Sequence, residues 1–356
     1  MSDETVRIPE ARLERFGVGM FEALGTPRET AGLALRSLLD ASLLGVDTHG
    51  VEALDMYYDH LRAGGLAAEQ ELICVREKGA MTLWDMRSGV GLAGARRIMA
   101  HAIDRAKEHG MCFATCRRTN HIGACGVYGL MAARQGMVAM ISQGSRMSFA
   151  PWGGKDPRIG SSPMAFVAPV QGMFPFYYDA AFAMMTGAQM KALIRAGKPL
   201  PEGVALDLDG NPTTDPKIAW NGQVLPIGRH KGVGMAMWNE ILSCVFSGNQ
   251  FANSVPSIVS TPERSADSSL YMIVFDPEAI QAPGEFAARM RKYVDYIESS
   301  RAIDPANPPR YPGRREGENW NDRQKNGIPV RPDALARLRK IAENLHLAPV
   351  NEGSPA

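Results

Sequence analysis

Residues 111–135 read MCFATCRRTNHIGACGVYGLMAARQ, and this stretch decides the fold class. The apolar run at 112–115 predicts a short strand, and the spacing of apolar residues over 127–135 predicts a helix. Glycine and alanine fill the loop between them, and a second apolar run at 138–141 predicts the next strand. Strands alternating with helices in this way are typical of α/β layers.

The alternation continues in both directions from this stretch. Before it, the sequence predicts a strand at 81–84 and an amphipathic helix at 95–108. After it, the patterns predict strands near 164–168, 174–178 and 270–275, with helices near 180–196 and 231–246. We therefore expect three parts: a helical N-terminal part (1–72), an α/β core (73–280) and a C-terminal helical segment that packs back on the first part (281–356).

Composition narrows the function classes. The chain has 356 residues, 45% of them hydrophobic and 22% charged, as in ordinary globular proteins. A net charge of +1 gives no reason to expect a nucleic-acid or membrane partner. The five cysteines contain no CxxC pair, which argues against a metal site and against a disulfide scaffold. Since no hydrophobic leader is present, we expect a cytoplasmic protein.

A dinucleotide-binding pattern, GxGxxG, occurs at Gly89–Gly94 between a predicted strand and a predicted helix. It supports an alternative, a Rossmann-type NADP reductase in which Arg117 and Arg118 meet the 2′-phosphate. Two features count against it. The pattern has low specificity by itself, and the polar lead-in at 85–88 differs from the usual hydrophobic turn.

Two histidines stand where ligands are usually bound. His49 follows a helix in the segment Asp47–Gly50, and His121 follows a strand within a run of small residues. Histidine suits proton transfer near neutrality, and Asp47, if close, would raise the pKa of His49. From the residues alone, both histidines are equally compatible with ordinary capping or loop positions.

Two further loops carry polar groups. Ser145 and Arg146 precede glycine- and proline-rich turns and could meet phosphates, although ordinary turn chemistry explains them as well. Lys231 stands in the glycine-rich segment 228–234 ahead of a predicted helix, where backbone N–H groups can bind an anion. A solvated basic turn is the alternative there.

Seven segments in order resemble the type-2 malate/L-lactate dehydrogenase family over residues 10–345. These segments are Asp47-x-His49-Gly50, Asn120–Ala124, Ala150–Gly154, Asp179–Ala180, Gly203–Asp215, Leu225–Gly232 and Pro312–Gly313. The resemblance implies a non-Rossmann nicotinamide-binding α/β fold with a mixed sheet, helical terminal parts and a homodimer. It also implies that Gly89–Gly94 is not the cofactor loop.

The resemblance assigns the chemistry as well. It implies NAD(P)-dependent hydride transfer to or from a small 2-oxo or 2-hydroxy acid, or a cyclic 2-imino acid. His49 would donate the proton with help from the hydroxyl of Thr48, although in some members the histidine at position 121 is the acid/base. Tyr57 would contact substrate. The positions implied at the cofactor are His121, Ile122, Gly123, Ala124, Cys125, Ser145, Asp179, Ala180, Ala181, Lys231, Gly313, Arg314 and Arg315.

The chain departs from the family pattern at positions that affect specificity. Ala53 replaces the arginine that usually reaches the substrate carboxylate, and Arg146 is the candidate substitute. The arginines at 314 and 315, where an acid commonly follows the glycine, favour NADPH over NADH. The lost arginine at position 53 also keeps open a catalytically silent binding protein of the same fold.

Overall fold

The computed structural model describes residues 5–69, 71–256 and 258–350. The α-helices are α1 (Glu10–Ala23), α2 (Arg28–Leu44), α3 (Leu54–Ala63), α4 (Gly91–His109), α5 (Gly126–Ala133), α6 (Gly187–Ala196), α7 (Pro216–Asn221), α8 (His230–Glu240), α9 (Glu285–Glu298), α10 (Arg314–Asn326) and α11 (Pro332–Leu345). The strands are β1 (Val6–Ile8), β2 (Ile73–Lys78), β3 (Met81–Asp85), β4 (Met111–Thr119), β5 (Val138–Gln143), β6 (Met147–Phe149), β7 (Ile159–Gly160), β8 (Met164–Ala168), β9 (Phe176–Ala180), β10 (Ala205–Leu206), β11 (Gln223–Val224), β12 (Ser268–Phe275) and β13 (Ile328–Val330).

A seven-stranded mixed sheet forms the centre of the molecule, in the order β2-β3-β4-β12-β5-β8-β9. β3 and β4 run parallel, joined by the crossover helix α4, and the other neighbours in this sheet pair antiparallel. A doubly wound dinucleotide fold requires a mostly parallel sheet. The predicted non-Rossmann fold with a mixed sheet is therefore confirmed.

The helix predicted at 180–196 begins later than the pattern indicated. β9 continues to Ala180 because Asp179 and Ala180 pair with the neighbouring strand β8. The helix α6 starts only at Gly187, where the side chains of Thr186 and Gln189 each accept a hydrogen bond from the other residue's backbone. Methionine and alanine ahead of this capping box belong to a connecting segment.

The glycine pattern at 89–94 is packed inside the protein. A Cβ atom at Gly91 would lie 2.5 Å from the carbonyl oxygens of both Asn120 and His121. All six residues of the pattern are buried, and α4 begins beneath the loop that carries His121. The glycine allows this close approach. No open phosphate loop exists here, and the Rossmann-type alternative is wrong.

The two ends of the chain share a second hydrophobic core. β1 pairs with β13, and α11 contacts both α1 and α3. Leu13 and Leu35 are buried in the same cluster as Leu338 and Ile341. The three-part division remains a proposal. No helix in the described ranges is both long enough and apolar enough to cross a bilayer.

Candidate active site

The two histidine loops meet at the edge of the core. His49 lies in a one-turn 3₁₀ segment between α2 and α3, and His121 lies two residues after the end of β4. Their ring centroids are 5.5 Å apart. Gly123, in the loop after His121, has a φ of +73°, which glycine adopts without strain, and it lies close to the carbonyl oxygen of His49. The structure thus brings together the pair that the sequence singled out.

His49 has a hydroxyl beside one ring nitrogen. The Oγ1 of Thr48 lies 3.0 Å from Nδ1 of His49, and burial lowers the pKa of the imidazole below its usual 6.5. Asp47 forms an ion pair with Arg323 of α10, with 3.2 Å between Nη2 and Oδ2. The expectation that Asp47 raises the pKa of His49 is wrong, because this carboxylate faces α10.

His121 is held by a tyrosine. The hydroxyl of Tyr57, which is 2% exposed, lies 2.7 Å from Nδ1 of His121. Burial, together with the charges of His49 and His60, lowers the pKa of His121 to about 3. Burial raises the pKa of Tyr57 well above 10, so the phenol keeps its proton. His121 is therefore neutral at physiological pH, and its proton lies on Nε2 when Tyr57 donates to Nδ1.

Carboxylates and guanidinium groups of the described residues play no part in these pKa shifts. Burial lowers the pKa of His49, and burial with two histidines lowers the pKa of His121. No carboxylate or guanidinium in the described part of the chain shifts either pKa. Ala53, in the turn before α3, is 9% exposed and offers a substrate anion no charge. The surroundings of the histidine pair are polar, and no carboxylate or guanidinium of the described residues shifts the pKa of either ring.

The loop after His121 leads into a group of predicted cofactor positions. The Asp179 carboxylate accepts a hydrogen bond of 2.8 Å from the N–H of Gly126, at the start of α5. Burial raises the pKa of Asp179 to about 6. The carbonyl oxygen of Pro312 accepts from the N–H of Tyr177 at 2.9 Å, and a Cβ on Gly313 would lie 3.0 Å from that nitrogen. The His121 loop, Asp179 and Gly313 therefore surround Tyr177, with Ala180 and Ala181 following Asp179.

Three other predicted positions lie apart from the histidines. The Oγ of Ser145 accepts from the N–H of Ser162 at 3.0 Å and lies 3.2 Å from the Oγ of Ser161. Arg146 is exposed just before β6, and Lys231 is exposed in the first turn of α8. No hydrogen bond or ion pair among the described residues joins Ser145, Arg146 or Lys231 to either histidine.

Comparison with known proteins identifies the family. The family model for malate/L-lactate dehydrogenase matches residues 8–339. The chain belongs to this family. The malate dehydrogenase of Pyrococcus horikoshii is 31% identical over 97% of both chains. The (2R)-3-sulfolactate dehydrogenase (NADP(+)) of Chromohalobacter salexigens is 33% identical over 74% of this chain and 79% of its own.

A solved structure gives the same assignment. The sulfolactate dehydrogenase of Methanocaldococcus jannaschii superposes with a TM-score of 0.90 and 27% identity, covering 96% of this chain and 98% of its own. A member of the malate/L-lactate dehydrogenase family with this fold is an NAD(P)-dependent dehydrogenase. Family membership therefore favours the enzyme over the catalytically silent alternative.

The nicotinamide cofactor of the family fits the loop after His121. Gly123 and Ala124 are buried, and in the described part of the chain their backbone N–H groups donate to no other residue. Buried donors require an acceptor, and the carboxamide and phosphate oxygens of a dinucleotide are acceptors. In this dehydrogenase, Gly123, Ala124 and the neighbouring Asp179 are the groups that would hold the cofactor.

Arg314 and Arg315 differ in how far their guanidinium groups are already paired with other side chains. Arg314 donates from Nε to the Glu298 carboxylate at 2.7 Å, and its guanidinium lies 5.5 Å from the ring centroid of Tyr311. Among the described residues, the guanidinium of Arg315 bonds only its neighbour Glu316, and its side chain is 78% exposed. The 2′-phosphate role predicted for these arginines stays a prediction, and Arg315 has the freer guanidinium.

Sequence reasoning assigned no role to two residues at this site, His60 and Asn120. His60 is buried, bonds the carbonyl oxygen of Arg264 through Nε2 at 3.1 Å, and lowers the pKa of His121. Asn120 ties the His121 loop to two neighbouring segments through its amide. The spacing of Tyr57 and His60, three residues apart on one helix, places both on the same face and was the available signal.

Proposed function

We propose that this dehydrogenase transfers hydride between a nicotinamide and a small 2-oxo or 2-hydroxy acid, or a cyclic 2-imino acid, with His49 as proton donor. The observation that carries the proposal is the difference between the two histidines. His49 lies beside Thr48 with its pKa lowered by burial, whereas His121, bonded to Tyr57, has a pKa of about 3. A group that stays neutral at pH 7 is a poor general acid.

The hydride is the cofactor's chemistry, and the protein supplies position and a proton. In reduction, protonated His49 gives its Nε2 proton to the oxygen or nitrogen on which negative charge develops. Its Nδ1–H donates to the Thr48 hydroxyl before and after the transfer, because the neutral imidazole keeps its proton on Nδ1. In oxidation, neutral His49 accepts the proton. Neutral His121 orients the reactants without competing for the proton.

One substitution tests the proton donor. His49→Asn should lower kcat by about 10²–10⁴-fold, because that is the usual contribution of general acid catalysis. The substrates are a panel of 2-oxo acids and cyclic imino acids, followed through cofactor absorbance, and cofactor affinity should be retained. His109→Asn, at the exposed end of α4, is the matched control. Unchanged turnover in His49→Asn would show that another group is the acid.

We propose NADPH as the preferred cofactor. The support is the relative whose name specifies NADP(+) and the exposed guanidinium of Arg315 beside Gly313. Arg315→Ala should raise KM for NADPH and leave KM for NADH unchanged, because only NADPH carries the 2′-phosphate. A higher kcat/KM with NADH in the wild type would contradict this preference.

We also propose a homodimer, on the support of an apolar helix face. Met237, Ile241 and Val245 follow one another at helical spacing along α8 and its continuation, and they are 47%, 50% and 58% exposed. A contiguous apolar stripe of this kind on a helix is usually covered by a partner. Both copies would carry the same stripe, so a two-fold axis can cover it.

The proposed location is the cytoplasm. All five cysteines are free thiols, and four of them are buried. Free buried thiols are usual in a reducing compartment.

A further inference from the structure

A polar cavity lies at the carboxyl ends of β3 and β4, the parallel pair of the sheet. It encloses about 740 Å³, and its walls include Ser88, Arg118, Arg264, Ser265 and Asp267. In α/β proteins, ligands bind at the carboxyl ends of parallel strands. None of these side chains belongs to the cofactor positions or to the histidine pair described above.

Two charged groups of this cavity, Arg264 and Asp267, lack a full set of partners in the described part of the chain. Arg264 is exposed, and its guanidinium bonds no other side chain in the described residues. Arg118 is fixed by the buried carboxylate of Asp85, with 2.8 Å between Nε and Oδ1. Asp267 has a buried oxygen, Oδ1, that accepts from no described group. An unpaired buried acceptor costs free energy unless a ligand donates to it.

Backbone strain is concentrated around the same cavity. Ser88, Arg118 and Asp267 have φ values of +61°, +51° and +43°, which side chains other than glycine rarely adopt. The N–H of Ser88 donates to the carbonyl oxygen of Arg118 at 2.9 Å, so two of these residues hold one another in place. Strained backbone of this kind clusters at ligand sites.

The cavity wall also touches the loop of His121. The amide of Asn120 donates to the carbonyl oxygen of Ser88 at 2.7 Å and accepts from the N–H of Ala266 at 2.9 Å. His60 bonds the carbonyl oxygen of Arg264. Movement of either wall therefore displaces Asn120, the residue directly before His121.

We propose that this cavity binds a small carboxylate that also carries a hydrogen-bond donor, and that its occupancy is transmitted to His121 through Asn120. The ligand's carboxylate pairs with Arg264 in the field of Arg118. Its hydroxyl or ammonium group donates to the free oxygen of Asp267. A phosphate is disfavoured because its second negative charge would face that carboxylate.

Calorimetric titration of the whole protein without nicotinamide tests the site directly. The probes are glycolate, which has a hydroxyl donor, acetate, which has none, and inorganic phosphate. Glycolate should bind about tenfold more tightly than acetate, because a hydrogen bond to a charged acceptor is worth that factor or more. Phosphate binding tighter than glycolate would overturn the assignment.

Variants separate this cavity from the reacting centre. Arg264→Gln, at an exposed position, should weaken both carboxylates about tenfold or more, and Asp267→Asn should reduce the advantage of glycolate over acetate. Arg289→Gln on α9 is the control and should bind both as the wild type does. His49→Asn should also bind normally. Binding that survives Arg264→Gln but is lost in His49→Asn would overturn the proposal.

The ligand has two possible sources, the substrate itself or a carboxylate that does not react. The assignment of the source rests on the proposed function, whereas the titration of the cavity does not. Failure of the cavity proposal can therefore be distinguished from failure of the proposed function. If substrate occupies the cavity, glycolate competes with it and Arg264→Gln raises KM. If an unreactive carboxylate does, glycolate changes kcat in the wild type and not in Arg264→Gln. Kinetics insensitive to glycolate and to Arg264→Gln would overturn the link to His121.

Discussion

Tyr57→Phe removes one atom from the site and tests how His121 is held. The Tyr57 hydroxyl lies 2.7 Å from Nδ1 of His121; Tyr57 is buried and His121 is half-buried. Deleting one partner of a buried hydrogen bond costs about 1–3 kcal/mol. If the bond orients His121 in the transition state, that cost corresponds to about a fivefold to 150-fold loss of kcat. KM for the cofactor should change less than kcat.

The neighbouring residue supplies a matched control. Tyr58 is also buried, but its hydroxyl accepts from Nη1 of Arg62 at 2.8 Å and from the amide of Asn344 at 3.2 Å, away from the histidines. Tyr58→Phe should lower the unfolding midpoint about as much as Tyr57→Phe does, and it should leave kcat unchanged. Steady-state kinetics and thermal unfolding of both variants make the comparison. Equal losses of kcat in the two variants would refute a specific role for the Tyr57 hydroxyl.

Four further outcomes are expected. For reduction, kcat/KM should rise as pH falls toward the pKa of His49, below 6.5, because the acid must be protonated; a profile that falls instead would contradict its role. The folded pKa of His121 is about 3, below its unfolded value, so its contribution to stability is complete above about pH 6.5 and is lost toward pH 3. His121→Gln should flatten that loss in denaturant titrations. Val245→Asp should reduce the mass in light scattering from twice 38.7 kDa to 38.7 kDa. Gly123→Ala should lower both kcat and the unfolding midpoint, since its φ is +73° and the new Cβ would lie 3.1 Å from Leu92.

The sequence predicted elements whose patterns are local and missed those whose stability comes from tertiary contacts. Strong strand and helix patterns at 81–84, 95–108 and 138–141 match β3, α4 and β5 to within a few residues. The helix α10 was missed because its exposed residues are almost all polar, so no apolar period marks it. It is held in place by distant partners, among them the carbonyl oxygen of Ser42, which accepts from Arg323 at 2.6 Å.

In the candidate site, too, local patterns predicted some features, and features that depend on tertiary contacts were missed. Sequence order identified both histidines, and the resemblance assigned His49 and His121 different roles. Their environments could not be predicted, because each depends on a contact between distant segments. Tyr57 bonds His121, which lies 64 positions later in the sequence. Arg323 pairs with Asp47, 276 positions earlier, so the Asp47 carboxylate faces α10 and not His49. A pKa is set by such neighbours and by burial, neither of which is written in a local pattern.

The glycines at 89–94 show how one local pattern can serve two physical purposes. In a dinucleotide loop, glycine lets a phosphate approach the backbone; here Gly91 lets another segment of backbone approach, at the carbonyl oxygens of Asn120 and His121. A Cβ at Gly91 would push out the loop that carries His121, so this glycine keeps that loop in place through packing. Gly91→Ala should therefore disturb turnover and stability together, whereas loss of a phosphate loop would weaken cofactor binding alone. The glycine pattern predicts that another group lies close to the backbone at 89–94. The tertiary structure is needed to identify that group, which here is the backbone of Asn120 and His121.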